Sequence, residues 1–292
     1  MLKQQDILVI VDDRRNDSLA ELLTEEPSFS GIKVHKCSVS GFLLNHGFTQ
    51  LERGSISNKA QSINYDASNI VILSRAIDIS NESIHALDIV NNSRLNKGDV
   101  IGALDLALSL YPYRLNKCGR YSTAGSVLPL PTQFGLVKRS GLTVKTPSFE
   151  YGCGHEPLSL VKSNGRNLII KSPFDYYHWK AGRYSQNIVD QFALLRPDGE
   201  PVISYITQNS QWHSTLGGAR NSTLISTVDD LSRNIWEIFG GFMLEVLWFV
   251  DGSEITFGCA SQYCRSLESL TRLPRFWPKL LDLCNMITDN NC

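Results

Sequence analysis

The sequence lacks the features that mark several large classes of protein. No apolar stretch approaches the roughly 20 residues of a membrane-spanning helix, and the longest candidate, 242–250, contains Glu245. The 28 basic and 29 acidic side chains give a net charge of −1, without the basic excess typical of nucleic-acid-binding domains. We therefore expect neither a membrane nor a nucleic acid as a partner.

Motifs of three common enzyme classes are also missing. The sequence contains no Walker lysine loop, no Gly-x-Gly-x-x-Gly after a strand and no Gly-x-Ser-x-Gly, which disfavours P-loop, dinucleotide-binding and α/β-hydrolase functions. Seven cysteines cannot all pair, so we expect reduced thiols in a cytoplasmic protein. The N-terminal residues lack the long apolar stretch of a signal peptide.

What the chain does contain is the composition of an ordinary globular protein. Of its 292 residues, 42% are hydrophobic and 20% are charged, which excludes global disorder. This length allows one large or two medium domains.

The first part of the chain alternates strand and helix patterns. The apolar runs 7–11 and 69–76 are typical of strands covered on both faces. A further strand is predicted at 32–39, with helical patterns between the strands. The sequence therefore predicts a small, doubly wound α/β domain over 1–130, which ends in the Pro- and Gly-containing linker 112–132.

The second part, 131–292, has the pattern of an α+β domain. Helices are predicted at 133–140 and 227–239, and a buried strand at 168–170 ends in Lys171. Two turns each predict an antiparallel hairpin. The turn 196–199 joins strands 188–195 and 202–207, and Asp251-Gly252 joins 243–250 and 254–259.

The order of these elements resembles the ATP-grasp superfamily over residues 133–262. The similar stretches are GLTVKTPS at 141–148, LIIKSP at 168–173, PVISYIT at 201–207, and the helix and hairpin around Gly240. The most similar branch contains the ribosomal-protein glutamate ligases and the ligases that cross-link peptide side chains. The resemblance implies a small N-terminal α/β domain followed by a two-part region that clasps a nucleotide.

The same resemblance implies a function and a site. The function is an ATP-dependent carboxylate–amine ligase that acts through an acyl phosphate on a peptide or a small amino-acid-like substrate. ATP and Mg²⁺ are the implied cofactors. The implied site residues are Lys171 for the phosphates, Ser204, Tyr205 and Ile206 for adenine, Glu245 for the metal and Arg220 for catalysis.

The sequence departs from the family in two places. Aromatic residues fill 174–183, where the family has a Gly-rich flap, and they offer few free backbone amides for phosphate. The returning strand 255–261 has neither the carboxylate nor the asparagine of the second metal-ligand set, so two Mg²⁺ ions could not be held as in the family. A second hypothesis is therefore a catalytically degenerate relative that binds a peptide or protein partner. Association into a homo-oligomer stays open under both hypotheses.

Overall fold

A computed structural model describes most of the chain. The described residues are 6–14, 17, 20–21, 24, 33–45, 70–76, 79–91, 94–111, 114, 116, 128–153, 167–174, 176, 179, 190–207, 211–215, 222–241 and 243–263. Those up to 116 form one compact unit, and those from 128 onward form another. The predicted domain boundary at about 130 stays a prediction. In the described part of the chain, no helix is both long and apolar enough to cross a membrane.

The first unit is built on a three-stranded parallel sheet. Its strands are β1 (Asp6–Val11), β2 (Val34–Ser38) and β3 (Ile70–Ser74), in the order β2-β1-β3. Its helices are α1 (Val39–Asn45), α2 (Asn81–Asn91) and α3 (Lys97–Ser109). Leu8 and Ile10 of β1 and Ile70 and Ile72 of β3 are buried in one core with residues of α1 and α3. The predicted parallel α/β arrangement is confirmed.

The second unit contains two antiparallel sheets and two helices. The helices are α4 (Leu130–Arg139) and α5 (Ser222–Phe239). The smaller sheet has the order β4-β6-β5, from β4 (Phe149–Cys153), β5 (Leu168–Ile170) and β6 (Asp190–Leu195). The larger sheet has the order β10-β9-β7-β8, from β7 (Glu200–Thr207), β8 (Gln211–Thr215), β9 (Met243–Asp251) and β10 (Glu254–Ser261).

One predicted hairpin is confirmed and the other is wrong. The Asp251-Gly252 turn joins β9 and β10 as antiparallel neighbours. The turn 196–199 instead passes the chain from one sheet to the other, because β6 pairs with β4 and β5 whereas β7 pairs with β8 and β9. Gly199 does have the positive φ expected of this turn, +98°, and a Cβ there would overlap the carbonyl oxygen of Val250. The residues of the turn determine that the chain changes direction at 196–199, but they do not determine which strands pair with each other.

Helix α4 is fastened to the edge of the larger sheet by a side-chain amide. Gln133 is buried; its Nε2 donates to the carbonyl oxygen of Ala260 at 3.0 Å, and its Oε1 accepts from the Ala260 N–H at 2.8 Å. Lys145 pairs with the same strand further along, donating to Ile255 and accepting from Phe257. These contacts occupy backbone groups that an edge strand would otherwise expose.

Candidate functional site

The two faces of the larger sheet differ in what they carry. Side chains alternate between the faces of a strand, and the register places Tyr205 opposite Glu245 and Ser204 opposite Val246. We call one side the Ser204 face; it carries Val202, Ser204, Ile206, Val246 and Trp248. We call the other the Glu245 face; it carries Ile203, Tyr205, Glu245, Leu247 and Phe249.

A series of polar contacts runs from Trp248 to Asp229 across the Ser204 face. The Trp248 Nε1–H donates to Ser204 Oγ at 2.8 Å, and the same oxygen lies 2.7 Å from His213 Nδ1. His213 Nε2 lies 2.5 Å from Asp229 Oδ1 on α5. The order serine, histidine, aspartate is that of a hydrolase triad, but Ser204 has 0% of its surface exposed. The contacts therefore tie β8 and α5 to the sheet, and no substrate could reach the hydroxyl in this arrangement.

Glu245 is a buried carboxylate near the start of β9. It is 6% exposed, and its neighbours across the sheet are Tyr205 on β7 and Ser261 on β10. A buried carboxylate is costly unless it is paired, hydrogen-bonded or coordinated. In the described part of the chain, no three Asp, Glu, His or Cys residues form a group suited to a metal ion.

Lys171 reaches the Glu245 face from the smaller sheet. The residue follows β5, and its Nζ lies 3.9 Å from the ring centroid of Trp179. That indole lies 5.0 Å from the ring of Phe249 on β9, centroid to centroid. Phe249 and Glu245 are four residues apart on one face, or about 13 Å along the strand. A cation from one sheet and a carboxylate from the other thus border the same sheet face.

A second cation joins this row from the connection between the sheets. The Arg196 guanidinium carbon lies 5.4 Å from the Phe249 ring centroid, so Lys171, Trp179, Phe249 and Arg196 form a row of cation, two aromatics and cation. Both cations are in the range of favourable cation–π contact. The sequence predicted Arg196 only as part of a turn.

Tyr176, three residues before Trp179, is held in place by contacts with Leu128 and Cys259. The Tyr176 hydroxyl donates to the Leu128 carbonyl oxygen, and the Cys259 thiol lies 3.4 Å from the Tyr176 carbonyl oxygen. Burial, with a smaller contribution from Cys259, raises the pKa of Tyr176, so this phenol stays neutral at physiological pH. The Trp179 Nε1–H donates to the same Tyr176 carbonyl at 2.6 Å.

A cavity of about 410 Å³ lies beside the turns of the second unit, with Arg196 in its wall. Its walls come from 145–148, 195–198 and the β9–β10 turn. Lys145 and Glu254 form an exposed ion pair at its rim with a 2.6 Å separation, and Asn167 donates to Asp198 at 3.2 Å. Both positive and negative groups line this cavity, so its lining favours no single ligand charge.

A polar cluster also occupies the carboxyl edge of the parallel sheet in the first unit. Asp13 accepts from the Ser40 backbone and hydroxyl and from the Ser83 hydroxyl, which is 2.6 Å away. Burial alone would raise the pKa of Asp13, but these hydrogen bonds outweigh it and hold the pKa below its usual value. Asp12 accepts from the Ser80 backbone N–H at 2.8 Å, and the same carboxylate oxygen lies 3.2 Å from Ser83 Oγ. The two carboxylates are accounted for by these hydrogen bonds.

The predicted site residues divide between the two faces. Lys171, Tyr205 and Glu245 border the Glu245 face, whereas Ser204 and Ile206 lie on the opposite, helix-covered face. Arg220 lies outside the described residues. The row formed by Lys171, Trp179, Phe249 and Arg196 was not predicted from the sequence. The aromatic residues at 174–183 were the one feature of the sequence that pointed to it.

The fold is similar to those of solved ligases. The D-alanine–D-alanine ligase from Bacillus anthracis shares 10% identity over 98% of both chains, with a TM-score of 0.58. A RimK domain ATP-grasp protein from Sphaerobacter thermophilus shares 12% identity over 97% of this chain and 98% of its own, with a TM-score of 0.51. The ATP-grasp ligase PsnB, solved with a minimal precursor, Mg and ADP, shares 11% identity over 97% and 98%, with a TM-score of 0.61. No family model matches the sequence, and no curated protein does. With two sheets in the second unit and a parallel α/β unit before them, the chain has the ATP-grasp fold.

Proposed function

We propose that this protein is an ATP-dependent carboxylate–amine ligase that acts on a peptide or a small amino-acid-like substrate. The observation that supports this most directly is the position of Lys171 and Glu245. They come from different sheets, yet both border the Glu245 face. A ligand lying on this face would meet a cation for its phosphates, aromatic rings, and a carboxylate that could hold a phosphate-bound metal ion, a combination that suits a nucleoside polyphosphate. PsnB, with a similar fold, was solved with ADP and a precursor.

In this proposal the ligase forms an amide in two steps. The substrate carboxylate takes the γ-phosphoryl group of ATP and releases ADP, and an amine then attacks the acyl phosphate and releases phosphate. Lys171 holds phosphate oxygens and offsets the charge that develops during transfer. Arg220 would stabilise the same phosphoryl group.

Tyr205 is the part of the predicted adenine contact that faces the ligand in this proposal. The backbone of β7 is paired on both sides, with β8 and with β9. The contact would therefore come from the Tyr205 ring. Ser204 and Ile206 would support the strand from behind, through the hydrogen bonds and core packing of the Ser204 face.

The residues around Glu245 fit one Mg²⁺ ion and do not fit two. Mg²⁺ is usually held by one or two carboxylates together with substrate phosphates and water. Glu245 offers one carboxylate, and the residue opposite it on β10 is Ser261, which offers only a hydroxyl. One ion shared between Glu245 and the phosphates would offset phosphate charge. A second ion would lack its protein ligands.

Thermal unfolding with ATP and Mg²⁺ tests this function. A ligand that binds only the native state raises the free energy of unfolding by about 2.7 kcal/mol at a hundredfold excess over its Kd. We expect Lys171→Ala to lose most of this gain. Lys138→Ala, on the exposed last turn of α4, should keep it. ADP release with candidate acids and amines then measures turnover. An equal gain in both variants would show that the phosphate site lies elsewhere.

A catalytically degenerate binding protein is the second candidate. It is favoured by Ser261 in the position opposite Glu245 and by the indole that lies against Lys171. Its partner would be a peptide or another protein. A protein that gains no stability from ATP, ADP or a non-hydrolysable analogue, with or without Mg²⁺, would support this candidate over the ligase.

A further inference from the structure

Trp179 contacts both Lys171, the cation proposed to hold phosphate, and Phe249, an aromatic ring of the Glu245 face. One face of its indole is in contact with the Lys171 ammonium, and the ring also packs against Phe249. Its N–H is engaged as well, by the carbonyl oxygen of Tyr176. These three contacts fix a half-buried side chain on the Glu245 face.

The contact between the indole and Lys171 competes with the binding of a nucleotide. A lysine ammonium is a compact point charge, and the position it takes over an indole face differs from the one it would take between phosphate oxygens. A nucleotide whose phosphates used Lys171 would therefore have to replace the indole at this ammonium.

We propose that Trp179 is an internal competitor for the nucleotide site. In the nucleotide-free protein its indole holds Lys171 and covers Phe249, and a polyphosphate draws Lys171 away from it. This inference rests on the proposed function and adds an autoinhibitory contact to it. The segment itself need not leave the sheet, because Tyr176 has its own contacts to Leu128 and Cys259. Only the side chain of Trp179 has to turn away.

Replacing the indole should therefore strengthen binding. Trp179→Leu keeps an apolar side chain but removes the π face and part of the volume. We expect it to bind ATP and inorganic tripolyphosphate roughly two- to thirtyfold more tightly than the unaltered protein, the range that a cation–π contact spans. Trp236→Phe, which alters a tryptophan on α5, is the matched control and should leave both affinities unchanged.

Calorimetric titration measures these affinities, and tryptophan emission provides a second measurement. Tripolyphosphate should change the emission of the unaltered protein and of Trp236→Phe, but not that of Trp179→Leu. If Trp179→Leu does not fold, Trp179→Phe, which keeps a weaker π face, should bind more tightly by a smaller factor.

The outcomes separate this inference from the proposed function. Tight binding by the unaltered protein with equal or weaker binding by Trp179→Leu would overturn the competitor and leave the ligase standing. Failure of both proteins to bind ATP and tripolyphosphate would overturn both. An emission change that persists in Trp179→Leu would also contradict the role of this indole.

Discussion

The two faces of the larger sheet are made by alternate residues of the same strands, yet they are organised in opposite ways. On the Ser204 face, each polar group of the chain from Trp248 to Asp229 contacts the next, and helices cover the apolar residues. On the Glu245 face, a carboxylate, aromatic rings and cations from separate segments converge. The contacts indicate that the Ser204 face stabilises the fold, and we propose that the Glu245 face binds a ligand.

The largest expected effect is on the Ser204 face. Phe257 is fully buried and packs against the rings of Phe134, Phe239 and Trp248. Phe257→Ala should lower the free energy of unfolding by about 3–5 kcal/mol, because it leaves a cavity among these rings. Chemical denaturation measures this loss, and Phe257→Leu should lose less than about 1.5 kcal/mol. A loss below 1 kcal/mol for the alanine variant would mean that this face is not the packed core.

A smaller loss is expected from breaking the polar chain. Trp248→Phe removes the N–H that donates to Ser204 and should cost about 1–3 kcal/mol of stability. Ser204→Ala removes the acceptor instead, and the double variant should show a coupling of about 0.5–3 kcal/mol in a denaturation cycle. Additive effects would indicate that the hydrogen bond contributes nothing. Neither change should alter the affinity for ATP.

The smallest effect concerns the Glu245 face, and it appears in binding rather than in folding. Glu245→Gln keeps the shape of the side chain but removes the charge that would hold Mg²⁺. Mg²⁺ should strengthen ATP binding to the unaltered protein by about tenfold, or 1.4 kcal/mol, and this gain should disappear in the variant. ATP titrations with Mg²⁺ or with EDTA compare the two. Glu254→Gln, at the exposed end of β10, is the control, and an equal Mg²⁺ response in both variants would exclude Glu245 as the ligand.

The sequence predicted the elements better than their pairing. Continuous apolar runs marked β1 and β3, and Asp251-Gly252 marked the β9–β10 hairpin, because these patterns are local. The partner of β6 was missed, since it depends on strands distant in the sequence. Side chains alternate between the two faces of a strand. The sequence 204–206 therefore already indicates that Ser204 and Ile206 lie on one face and Tyr205 on the other. The contact between Lys171 and Trp179 depends on how the segment after β5 folds back, which no local pattern shows.

The central claim is that a nucleotide binds to the Glu245 face with Lys171 on its phosphates. The most direct measurement is a calorimetric titration of ATP with Mg²⁺ into the unaltered protein, Lys171→Ala and Trp248→Phe. We expect Lys171→Ala to weaken binding at least about tenfold, and Trp248→Phe to leave the Kd unchanged although it lowers stability. Equal affinities in all three proteins, or a loss confined to Trp248→Phe, would contradict the claim.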